Sequence, residues 1–101
     1  MILTGKAKED FKEWKVNNKN LSTIEVLDFE HLSKTSQNAL IIDFFDSVGI
    51  YCVSNYNFIN TNWSYSVKNA DTILSRGCNY KTRKEATEQA IIKANEIYNS
   101  K

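Results

Sequence analysis

The chain has 101 residues, 42% hydrophobic and 25% charged, with a formal net charge of +1. That length holds one hydrophobic core, and that composition lies outside the polar, highly charged range of disordered chains. The charge is too small for strong non-specific attraction to nucleic acid or to an anionic membrane.

The first predicted element is a helix from about Thr4 to Val16. Thr4 is its expected N-cap, and Ala7, Phe11 and Trp14 recur at i, i+4 and i+7, with Lys6, Glu9, Asp10 and Glu13 on the other faces. After the polar run Asn17 to Asn20, Ser22 and Glu25 form the S-x-x-E pattern of a capping box. The segment Thr23 to Leu32 fits a short helix through Ile24, Leu27 and His31, although Ile24 and Val26 also alternate with charge as a strand would. A further helix is predicted from Thr35 or Ser36 to Ser47. Its apolar stripe is Leu40, Ile41, Phe44, Phe45 and Val48, and Gly49 is a left-handed stop.

From Ile50 the period changes to two. Ile50 to Tyr56 is rich in β-branched and aromatic residues, and Trp63, Tyr65 and Val67 alternate with Ser64, Ser66 and Lys68. This predicts a hairpin with its loop at Asn57 to Asn62, and a third, short edge strand at Ile73 to Cys78. Thr82 and Glu85 repeat the capping box ahead of a last helix reaching about Tyr98, where Ala86, Ala90, Ile91, Ala94, Ile97 and Tyr98 share a face. The expected fold class is α+β. It comprises two or three N-terminal helices, an antiparallel β-hairpin or three-stranded sheet, and a C-terminal helix packed on it, in one domain over residues 1 to 101.

The longest strongly apolar run, Ala39 to Ile42, is broken by Asp43 and is far shorter than the ~20 residues of a membrane span. The opening Met1-Ile2-Leu3 turns charged by Lys6 and offers no secretory leader, so a cytoplasmic protein without membrane contact is expected. Cys52 and Cys78 lack CxxC spacing and read as free thiols. Twelve asparagines, with many Lys, Ile, Tyr and Phe and no proline, point to an AT-rich coding source rather than to a mechanism.

Two surfaces are candidates for binding. Lys68, Arg76, Lys81, Arg83 and Lys84 lead into the last helix with Asp71 as the only acid among them, a net +4 over that span. Cations in the first turn of a helix oppose its dipole, and a bound anion such as a nucleic-acid phosphate would relieve the conflict; the plainer reading is a solvated loop. Double-stranded-RNA-binding domains also place lysines at the start of a final helix after an antiparallel sheet, though they have one helix before it. The second surface is aromatic: Tyr51, Tyr56, Phe58, Trp63 and Tyr65 lie on or beside the hairpin, where rings stack bases, anchor a protein partner or simply fill the core.

Asp43, Asp46 and His31 lack the further ligands a metal site needs, and Cys52 reads as a small hydrophobe, so no catalytic residue, metal or cofactor is expected. Residues 21 to 50 carry one lysine against five acids, net −4, and residues 51 to 101 carry seven bases against four acids, net +3. Such asymmetry suits a charged partner or a homo-oligomer.

The run Tyr80-Lys-Thr-Arg-Lys-Glu-Ala86, the run Ile92-Lys-Ala-Asn-Glu-Ile-Tyr-Asn99 and the segment Asp43-Phe-Phe-Asp-Ser-Val-Gly-Ile50 carry a resemblance. In them the chain is similar to a group of small uncharacterised proteins of bacteria, phages and mobile elements, over about a third of its length. The resemblance implies no activity and no site residue. It implies an accessory protein that binds a protein partner, in its sharpest form an inhibitor of a host defence system of CRISPR type. The alternative from the residues alone is a small nucleic-acid-binding module using the basic corner.

Overall fold

A computed structural model describes residues 1 to 101. Four α-helices and a three-stranded antiparallel sheet follow one another as α1 (Gly5–Asn17), α2 (Thr23–Leu27), a single 3-10 turn (Phe29–His31), α3 (Lys34–Ser47), β1 (Tyr51–Asn57), β2 (Asn62–Lys68), β3 (Ile73–Tyr80) and α4 (Arg83–Asn99). The sheet is a meander in the order β1-β2-β3, the third strand being two residues longer than its expected end at Cys78. The class is α+β. No helix is long and apolar enough to cross a membrane.

Local signals account for most boundaries. Ser22 and Glu25 make both bonds of a capping box, whereas at α4 the N–H of Glu85 donates to Thr82 Oγ1 at 3.1 Å without the reciprocal bond. Helix α3 begins a residue or two earlier than expected, because Ser33 is its cap and accepts from the N–H of Ser36. It ends where Gly49 turns left-handed at φ +80°, and the N–H groups of Gly49 and Ile50 reach back to the carbonyls of Asp46 and Phe45.

One core joins the helices to one face of the sheet. Phe11 of α1, Leu40, Ile41, Phe44 and Phe45 of α3, Tyr65 and Val67 of β2, and Ala86, Ala90, Ile91 and Ala94 of α4 are all buried in it. The alanines bring α4 close enough to the strands for the Cys52 thiol to sit 4.0 Å from the Ala90 carbonyl and for Thr87 to reach Ser54. The sequence expectations need three corrections. Val48 is 38% exposed, because α3 ends just before it and the chain turns away. Ile24 and Leu27 are exposed and α2 buries nothing, being held by its caps rather than by an apolar face. Lys15, not an apolar residue, closes the buried face of α1, with its ammonium 4.3 Å from the centre of the Phe29 ring and 5.0 Å from that of Phe11. Burial, the largest influence, holds that ammonium below its usual pKa.

The start of α1 is capped from the other end of the chain. The Thr4 N–H donates to Asn95 Oδ1 (3.0 Å), Asn95 Nδ2 donates to Thr4 Oγ1 (3.0 Å) and the Ala7 N–H donates to Asn99 Oδ1 (2.8 Å). Thr4 thus occupies the cap position while its hydroxyl serves α4, and the asparagines satisfy donors that α1 leaves free.

Gly77 marks a close approach. It sits opposite Tyr65 beside a bulge at which Asn79 adopts φ +72°, and a Cβ at Gly77 would lie 2.6 Å from Tyr65 Cε1 and 3.2 Å from Tyr80 Oη. The Tyr65 ring is buried and cannot swing aside. Gly77→Ala is expected to cost about 1–3 kcal/mol in urea unfolding, and a variant as stable as the parent would mean that this approach is looser than described.

Candidate functional site

Strand alternation decides where each candidate residue points. On β2, Trp63, Tyr65 and Val67 face the helices, so Ser64, Ser66 and Lys68 face away, and the register adds Val53, Asn55 and Arg76 to that second face. No helix covers it. Its three strands line a hollow of about 490 Å³, open to solvent, with no carboxylate in its lining.

The basic corner is therefore not one surface. Lys68 and Arg76 lie on the open face, whereas Arg83 places its guanidinium 4.8 Å from the centre of the Trp63 ring on the helix side. Arg83 and Lys84 also border a shallow groove between α3 and α4 with Thr35, Asn38, Ala39 and Ile42. Lys81 stays in solvent on the turn before α4. Nearness along the chain does not become nearness in space because the chain reverses at residues 81 and 82, between an outward-facing strand position and a helix on the opposite side.

The aromatic set divides as well. Tyr65 is buried against α4 and serves the core, although it also contributes to the lining of the hollow on the open face. Tyr51 sits at the far end of the open face, opposite Lys68. The remaining three assemble at the tip of the β1–β2 hairpin. Tyr56 meets Phe58 edge-on at 5.2 Å and Trp63 at 5.2 Å, and Arg83 covers the other ring. Phe58 and Ile59 are 84% and 92% exposed. The turn holding them is ordered by Asn57, whose Oδ1 accepts from the N–H groups of Ile59 and Asn60, so these apolar side chains are presented on a fixed scaffold.

The other candidates stay apart. His31 lies exposed at 3.6 Å from Asp28, beside a 200 Å³ surface groove that also involves Lys15 and Glu30. No group of three or more His, Cys, Asp or Glu side chains comes together. Asp46 is raised above its usual carboxylate range by burial and by Asp43. The Cys52 thiol is pushed up to about 12 by burial and, less, by Asp46, which leaves it protonated and unreactive at neutral pH. Cys78 is free and exposed on β3.

Residues that sequence reasoning passed over are the asparagines. Asn55, Asn57, Asn60, Asn62 and Asn79 converge on the open face, a placement visible in the alternation of β1 and β2 once the buried face is known. Compared with protein-family models, with curated proteins and with solved structures, the chain gives no match.

Proposed function

We propose that this protein is a non-catalytic binding protein that docks onto a protein partner through the tip of its β1–β2 hairpin. One observation carries the reading: Phe58 and Ile59 stand almost wholly in solvent on an ordered turn, continuous with Tyr56, Trp63 and the stacked Arg83. Aromatic and arginine side chains dominate the energy of protein interfaces, and an apolar tip backed by them gains most when a partner removes it from water. If the partner is of the kind that the resemblance to phage and mobile-element proteins implies, it belongs to a bacterial cell, and a host defence assembly of CRISPR type is the most specific target proposed.

The test is a pull-down from nuclease-treated bacterial lysate with the parent and with the double variant Phe58→Ser/Ile59→Ser. Both residues are exposed, so the variant is expected to melt as the parent does, and losing two anchors is expected to weaken capture at least about 30-fold. Capture that survives the double substitution would remove the tip from the reading. One observation favours a second reading, a nucleic-acid-binding module: α3, the three-stranded meander and α4 follow one another in the helix–sheet–helix order of double-stranded-RNA-binding domains. Capture that disappears on nuclease treatment, with affinity falling steeply in salt, would select it.

A further inference from the structure

The open face of the sheet is built as a site separate from the hairpin tip. Arg76 and Ser66 are cross-strand partners and Lys68 lies two residues beyond Ser66 on the same face, and all three line the hollow. Neither cation forms a salt bridge, and no carboxylate borders the hollow to neutralise them. Between them Ser66 is only 8% exposed although no helix covers this face. Its hydroxyl has no partner within the protein. No buried side-chain polar atom is left unsatisfied, so this hydroxyl opens onto the hollow.

Two unpaired cations and a recessed hydroxyl form an anion site, and the planar guanidinium suits a phosphate. The rest of the hollow has a different chemistry. Asn55 faces Ser64 across the strands, and Asn62 Nδ2 donates to Asn79 Oδ1 at 2.9 Å. Amides and hydroxyls of this kind both donate and accept, which matches a ring of hydroxyl groups. The apolar lining is confined to Tyr65, Ile73 and Cys78, and the Tyr65 ring is buried towards α4, so the lining of the hollow offers no aromatic plate to a base, the exposed ring of Tyr51 lying on the same face but outside that lining. A hollow of about 490 Å³ accommodates a ligand of one or two sugar units. We propose that this face binds a phosphorylated sugar, with Arg76, Lys68 and Ser66 on the phosphate and the asparagine end on the ring hydroxyls.

The experiment is an amide-resolved NMR titration of the full chain with glucose 6-phosphate, fructose 6-phosphate and ribose 5-phosphate, against glucose, inorganic phosphate and adenosine monophosphate. At least one sugar phosphate is expected to shift β2 and β3 amides saturably, at least about tenfold more tightly than glucose or phosphate alone. Arg76→Gln, a change at an exposed side chain, is expected to weaken it about tenfold or more, the loss of one charge-assisted hydrogen-bonding group. Ser66→Ala is expected to weaken it several-fold with the rest of the spectrum unmoved. Four results would overturn the assignment: no saturable shift with any sugar phosphate by about 10 mM, adenosine monophosphate binding as tightly, unchanged affinity in Arg76→Gln, or shifts confined to the hairpin tip or α4.

Discussion

Phe44→Asp is expected to leave the chain unfolded at 25 °C. Phe44 is where α1, α3 and α4 meet, with its ring centre 5.6 Å from Phe11, 5.9 Å from Trp14, 5.3 Å from Phe45 and 5.7 Å from Tyr98. Truncation to alanine alone is expected to cost about 3–5 kcal/mol through lost burial and the cavity left behind. A carboxylate in the same place must also be stripped of water or held protonated, and small domains have only about 5–15 kcal/mol of stability in total. Val48→Asp is the control. Sequence periodicity puts it in the same stripe, but it is 38% exposed at the end of α3, and the substitution is expected to cost far less than Phe44→Asp, about 1 kcal/mol. Circular dichroism and a urea titration read both. A cooperative unfolding transition for Phe44→Asp near that of the parent would mean that the aromatic cluster does not hold the helices together.

The second large effect is alkaline. A thiol held protonated by burial binds its proton more tightly folded than unfolded, so it contributes stability that is complete below its ordinary pKa of 9.0 and is lost as pH rises towards about 12. By pH 11 the loss from Cys52 is expected to be on the order of 2 kcal/mol. Tyr98, raised to about 12 mainly by donating to the Asp10 carboxylate at 2.6 Å, acts in the same direction above pH 10. Lys15 opposes both, since a lowered ammonium pKa makes stability rise with pH up to its unfolded value of 10.5. Cys52→Val keeps the volume and removes the titration, so the parent-minus-variant difference between pH 8 and pH 11 isolates the thiol. Urea midpoints that fall equally in both proteins would show that Cys52 is not desolvated in the fold.

Much of the architecture was legible because it rests on local rules. The stripe from Leu40 to Phe45, the alternation of Trp63, Tyr65 and Val67, and the caps at Ser22 and Thr82 each name an element without knowledge of its neighbours. What was not legible depends on partners far along the chain. Nothing local says that Asn95 and Asn99 serve α1, or that a lysine will close its buried face over two rings. The faces of β1 also resist reading. Cys52 and Ser54 turn to the helices while Val53 turns away, because the alanines and Thr87 of α4 leave room there only for small groups. The candidate sites suffered in the same way, for a charge cluster in the chain was divided between two sides of a sheet.

With helices on one side alone, the uncovered side of the sheet contributes little to cohesion. Exposed positions such as Asn55 and Arg76 can be exchanged without disturbing the interior, so mutational drift there retunes what is recognised while leaving foldedness almost untouched. Evolution can therefore rewrite that surface faster than the scaffold behind it, an advantage to any protein whose target is itself changing.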